Sequence, residues 1–335
     1  MLFRDDHSLE SVVGVSVKHR IGYPKSLQLS GETTFPPVWS AGPIGETAQE
    51  TDVQITVLYY MGMEFSRQNI YANYDKIVHD GTIDISSATF MTPWGLCFLC
   101  LSAVERHTLP QKAIILPTSP DVRSYLKRMH FNETLRELEY YPEAKELDSI
   151  EVPERQNNDL QELRHCRYID QFSGRLGHFQ EIFERFGLTE DEARRATNVV
   201  AELGNNVFDH NLGNWPTEIG GAFIAAQRYP NLKVIDTVVA DPGVGFLGSL
   251  KSAYPELQDD VAAIRLALSG KTGRIGEDRG NGLHFVQTWT IKDFGGNLSI
   301  HSNSGTVIVD KEGIKSQPAP RILGTIAQFE IYYKG

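Results

Sequence analysis

Cysteine is scarce, with three in 335 residues. So few cysteines exclude a disulfide framework and suit a reducing compartment. Cys97 and Cys100 form a C-x-x-C, but a tetrahedral structural zinc needs four ligands and only Cys166 remains. Both lie in the apolar run Leu96-Cys-Phe-Leu-Cys-Leu101 and read as small core residues on a buried helix. Long apolar runs are missing too. The longest, Trp94 to Val104, is well short of the roughly 18 residues of a membrane-spanning helix. The opening MLFRDDHSLE has no basic segment followed by an apolar one, so no secretory leader is expected. Together these absences predict a soluble cytoplasmic protein with no membrane partner. A basic surplus is also lacking: 43 Asp and Glu outweigh 32 Lys and Arg, for a formal charge of -11. Proteins that grip phosphate backbones carry the opposite balance, so nucleic acid is not expected as the primary ligand.

What is present is ordinary globular composition, 41% hydrophobic and 22% charged. At about 150 residues per domain the length predicts two domains. Residues 1–50 carry turn signals such as Gly22-Tyr-Pro24 and Phe35-Pro-Pro37 and no long helical period, as in an irregular or strand-bearing extension. Over 51–150 the β-branched run Val53 to Tyr60 predicts a strand, Thr82 to Ser86 a second and Ala113 to Leu116 a third. Pro93 to Arg106 and Asp121 to His130 predict helices, which together make a small α/β layer. Residues 140–165, rich in Glu, Asp, Asn and Arg, read as a solvated connector.

The C-terminal part, 165–335, has a different rhythm. His178 to Phe186 reads as a helix with Phe179, Ile182 and Phe183 on one side. Thr189-Glu-Asp-Glu192 is a capping box, which predicts a long helix to about His210. Strands are predicted at Gly221–Gln227, Lys233–Ala240, Asn297–His301 and Ala327–Tyr333. Strands and helices do not alternate here as in a doubly wound sheet, so the fold class is α+β.

Three segments carry chemistry. On the capped helix, Ala196, Val200, Leu203 and Val207 form an apolar stripe, and Glu202 and Asn206 stack four apart beside it. A carboxamide oxygen is a hard ligand suited to Mg²⁺, and a carboxylate can polarise an attacking group; alone, such a pair is more commonly a solvated face. Asp241-Pro-Gly243-Val-Gly245 follows a β-branched run, where glycines let backbone approach a ligand and Asp241 can accept from an exocyclic amine. The plainer alternative is a Gly-rich turn. Gly280-Asn-Gly282-Leu precedes an apolar helix start, either a phosphate cradle or a hinge.

The order E-x-x-x-N, D-x-G-x-G, G-x-G-L and then Gly324-Thr325 before a strand resembles the four boxes of the GHKL (histidine-kinase-like, Bergerat-fold) ATPases, across about residues 170–335. The resemblance implies a Bergerat α/β sandwich, with a mixed sheet covered by helices, that binds ATP and Mg²⁺. It implies Asn206 as Mg²⁺ ligand, Glu202 as the catalytic group orienting water or a hydroxyl, and Asp241 on the adenine amine, with Gly243 and Gly245 shaping that pocket. Gly280 and Gly282 would cradle phosphates, Thr325 would lie near the adenine, and residues 247–279 would form a lid whose Lys271 and Arg279 reach phosphate. A long polar insertion between Gly305 and Gly324 departs from the family pattern. Ser269-Gly-Lys-Thr272 is not a P-loop, because Arg265 stands where its first glycine would fall and the preceding segment reads as helix.

Phe90-Met-Thr-Pro-Trp-Gly95-Leu96 and the helix that follows resemble the STAS domain of anti-sigma-factor antagonists, over about residues 75–135. Thr92 and Pro93 fill the places of its Asp and phosphorylatable serine, so that phosphorylation is not expected. The two resemblances imply a regulatory protein, closest in character to the anti-sigma serine kinases, in which ATP switches contacts with a protein partner. The alternatives are an ATP-hydrolysing homodimer clamp of the gyrase/MutL type and a non-catalytic nucleotide-binding module. A sensor histidine kinase is disfavoured, since neither His165 nor His178 has a phosphoacceptor's sequence surroundings.

Overall fold

The computed structural model describes residues 62–152, 158–211, 215–271 and 282–333, which fall in one compact unit. The expected extension over 1–50 and the strand at Val53–Tyr60 lie outside the described residues. The first part runs β1 (Met63–Phe65), α1 (Arg67–Ala72), α2 (Tyr74–Ile77), β2 (Val78–His79), β3 (Thr82–Asp84), β4 (Ala88–Met91), α3 (Pro93–Arg106), β5 (Ala113–Ile115), α4 (Pro120–Arg128), α5 (Phe131–Glu137) and α6 (Tyr141–Asp148). β1 pairs with β4 in parallel, while β3 lies between β2 and β5 in a small mixed sheet. Thr92 caps α3 by accepting from Gly95 N at 3.1 Å, with Pro93 in the first turn. Every residue from Pro93 to Val104 is buried. A helix apolar on all sides belongs in an interior. Cys97 and Cys100 are buried and free there, and burial pushes both thiols up, as inert core residues require.

The second part runs β6 (Leu160–Cys166), α7 (Ile169–Ser173), α8 (Leu176–Arg185), α9 (Glu190–Asn211), β7 (Ala222–Tyr229), β8 (Val234–Asp241), α10 (Gly245–Leu250), α11 (Asp260–Leu268), α12 (Gly282–Thr288) with a π-helical turn at Trp289–Asp293, β9 (Asn297–Ser302), β10 (Gly305–Asp310), β11 (Gly313–Pro318) and β12 (Thr325–Tyr332). Its sheet has the order β11-β10-β9-β12-β8-β7-β6. A mixed sheet was expected, but every neighbouring pair is antiparallel. Tight turns join β9, β10 and β11, and β12 returns between β9 and β8 running against both. The polar insertion expected between Gly305 and Gly324 is largely the β10–β11 hairpin.

Alternation along these strands sets the layers. Phe223, Ala225, Val238, Ala240 and Ile326 join the core around α3. Their neighbours Ala222, Ile224, Val239, Ala327 and Phe329 join the core around α8, α9 and α11. The antiparallel sheet is thus buried on both faces at its centre, and the chain is α+β. The capping box forms as expected, with Glu192 N on Thr189 Oγ1 at 3.3 Å and Thr189 N on Glu192 Oε2 at 2.9 Å. The stripe Ala196, Val200, Leu203 and Val207 is buried beneath α9. The connector expected over 140–165 needs correction: it contains α6, which buries Ala144 and Leu147, and β6, the edge strand of the large sheet.

Candidate functional site

One end of the large sheet opens into a cavity of about 540 Å³. Its floor is apolar: Val239 of β8, Ile300 of β9 and Ala327 of β12 face it, with Leu203 and Val207 of α9, Leu250 of α10 and Ala267 of α11 around them. Into this shell four separated segments bring polar groups. α9 supplies Glu202 and Asn206, β8 ends on Asp241, β12 begins at Thr325, and α12 begins at Gly282. Gly245 and the exposed Lys271 also line the cavity. Seven of the ten residues marked from the sequence therefore meet in one place. Gly243 is not among the lining residues but donates its N–H to Asp241. Arg279 and Gly280 fall outside the described residues, as do residues 272–279 of the expected lid; its residues 247–271 are described and hold the end of α10 and all of α11.

Asp241 is buried at the strand end, directly opposite Thr325 in the β8–β12 register. Its Oδ1 accepts from Gly243 N and from Asn211 Nδ2, both at 2.9 Å. No described residue partners Oδ2. Burial raises its carboxyl to about 7, against the lowering effect of those two donors. The tight crossing of β12 depends on Gly324, which has φ +76°; a Cβ there would strike the Asp241 carbonyl. Downstream, Gly245 (φ +73°) leaves no room for a side chain against Ser302 and Asn303. Ser302 Oγ accepts from Phe246 N at 2.9 Å, so the glycine loop is pinned to the end of β9.

Glu202 and Asn206 are half-buried, and no described residue hydrogen-bonds either side chain. Burial, then the neighbouring Asp209 carboxylate, raises the Glu202 carboxyl. Gly282 starts α12 hard against it: a Cβ at 282 would collide with Glu202 Oε2. The backbone at Gly282 thus approaches the carboxylate more closely than any residue with a side chain would allow. Among the described residues no group of three or more His, Cys, Asp or Glu side chains is arranged to hold a metal alone. A metal here would need ligands from a bound molecule as well as Asn206, the manner in which Mg²⁺ is commonly held between one or two protein groups and phosphates.

The sequence reading missed Asn211, whose carboxamide ties α9 to the Asp241 loop. The signal was present: Asn211 continues the stripe four residues beyond Val207, and a polar side chain at a core position needs partners. Neither histidine weighed earlier lines the cavity. His165 is held by Glu137 and Gly220 O, each at 2.9 Å, and His178 lies on α8 beside Glu181. The segment preceding Lys271 is the helix α11, not a strand, which agrees with the exclusion of a P-loop. No protein-family model matches the chain and no curated protein matches it.

Proposed function

We propose that this cavity binds ATP with Mg²⁺ and that the chain is a GHKL-type regulatory protein in which nucleotide occupancy switches contacts with a protein partner. The observation that carries the reading is the convergence of unspent polar groups on an apolar pocket. Asp241 Oδ2, Asn206 and Glu202 come from the end of one strand and one helix ridge, and none is satisfied by a described residue. A volume of about 540 Å³ is in the range of cofactor and nucleotide sites. The apolar floor suits a base, with Asp241 as acceptor for its amino group and Thr325 beside it. Asn206 offers the oxygen a Mg²⁺–phosphate unit would use, and Lys271 and the Gly282 backbone line the same wall. The finer architecture proposed is the Bergerat sandwich, with a STAS-like layer on the sheet's other face.

Glu202 supports chemistry in addition to binding, since its half-buried, raised carboxyl is placed to take a proton from an attacking hydroxyl. With a protein hydroxyl as acceptor this is serine/threonine kinase activity; with water it is hydrolysis, which phosphate release in the absence of any protein substrate would distinguish. The test is thermal stability with ATP, GTP and ADP, each with and without Mg²⁺. ATP at about 100 times its dissociation constant adds roughly 2.7 kcal/mol, several degrees in Tm, and GTP does not match it. No shift with millimolar Mg-ATP overturns the proposal. Glu202→Gln keeps the ATP shift and slows phosphate release about 10²- to 10⁴-fold; loss of binding instead would make Glu202 structural.

A further inference from the structure

We propose that Asn211 is a positioning residue for ligand recognition: its carboxamide holds one carboxyl oxygen of Asp241 inside the protein, so that the other stays free at the cavity to accept from a ligand's amino group. The proposal rests on the nucleotide reading above. Asn211 is buried at the last turn of α9, and both donors of its amide and one acceptor direction of its oxygen are committed. Nδ2 donates to Val207 O and to Asp241 Oδ1, both at 2.9 Å. Its Oδ1 accepts from Val244 N at 3.0 Å. Flipping the amide would set oxygen against oxygen at Asp241 and N–H against N–H at Val244, so one orientation alone is satisfied.

Three consequences follow for Asp241. Its Oδ1 takes two donors, Asn211 Nδ2 and Gly243 N, and has no capacity to spare for a ligand. The carboxyl plane is thereby fixed and Oδ2 is the oxygen left for the cavity. The donors also hold the group nearer to ionisation than burial alone would. A protonated Asp241 would present O–H to an amino group, donor against donor. The glycine two residues on gains a second reason: a Cβ at Gly243 would run into the Asn211 carboxamide. Asn211 also lines the cavity, but both its N–H donors are spent on Val207 O and Asp241 Oδ1, so it serves a ligand's recognition through Asp241.

The test compares wild type, Asn211→Leu and Asn211→Ala, with retained folding checked by circular dichroism. Mg-ATP affinity is measured by calorimetry from pH 6 to 9. In ligand-free protein the Asp241 carboxyl is titrated by carbon-13 NMR, with Asp241→Asn as the assignment control. Glu202, Asp209, His210 and Lys271 also line the cavity, but they are common to all three proteins, so the difference between profiles isolates Asp241. Expected is a loss of about tenfold or more in affinity at neutral pH, recovering in part toward pH 9, because the carboxyl now ionises later. The ligand-free carboxyl titrates correspondingly higher in both variants. A uniform loss at every pH, with the Asp241 midpoint unmoved, means that Asn211 is only structural and overturns the proposal. If wild type binds no adenine nucleotide, the nucleotide reading fails and the ligand-free titration still decides whether Asn211 positions Asp241.

Discussion

Two aspartates on one strand point to opposite faces of the sheet and share one electrostatic situation. Asp241 faces the cavity, and Asp236, five residues earlier, is buried on the α3 side with Gln328 Nε2 donating to its Oδ1 at 2.9 Å. Burial raises both carboxyls, and Glu330 raises Asp236 further. A raised carboxyl favours the fold in acid, where it keeps its proton in both states. The unfolded chain releases that proton near 3.9 and folded Asp241 releases it only near 7, so Asp241's contribution to stability is lost as pH climbs between those values. Denaturant unfolding at pH 5, 6, 7 and 8 should show that decline in wild type and a shallower one in Asp241→Asn, with the Asp236 share remaining. Equal slopes in the two proteins would mean that Asp241 is not held protonated. At this scale the sequence was informative where chemistry demands a residue type, as at Asp241, and silent where a partner is chosen in space. The Asn211–Asp241 bond joins residues thirty apart that no periodicity links.

Elements were legible in proportion to the purity of their period. The helix α9 announces itself with an apolar stripe and a reciprocal cap, and both form. Thr189→Ala removes one half of that cap and should cost about 1 kcal/mol in denaturant unfolding. Nucleotide affinity should be unchanged, because the cap lies at the far end of α9 from Asn206 and Asn211. A change in affinity without a loss of stability would contradict this division. The strand β6 was hidden because its register to β7 shifts between Gln161 and Arg164. The bulge leaves Leu160, Leu163 and Cys166 buried at intervals of three, a spacing that mimics a helix face. β11 was hidden for the opposite reason: all six of its residues are exposed, so burial imposes no alternation on it.

For the molecule as a whole, the decisive packing is between α3 and the sheet. Sequence periodicity shows that a segment is apolar but not what covers it, and so neither face of the sheet could be assigned in advance. A fragment restricted to 158–335 would lay bare Phe223, Ala225, Val238, Ala240 and Ile326, which the α3 side now covers. Such a fragment should aggregate or bind a hydrophobic dye strongly, against weak dye binding by the full chain. A soluble, monomeric, dye-silent fragment would show that the sheet does not need the N-terminal layer. The same packing sets a schedule for synthesis. α3 is translated before any of β7, β8 and β12, the strands it lies against. At roughly 5–20 residues per second, the wait between α3 and β12 lasts on the order of ten to forty seconds. Through that interval α1 and β3 already pack against α3, but the side of the helix that the sheet covers is not fully covered. The nascent chain is therefore most vulnerable to aggregation before it is complete, and α3 is the segment a holding chaperone would grip.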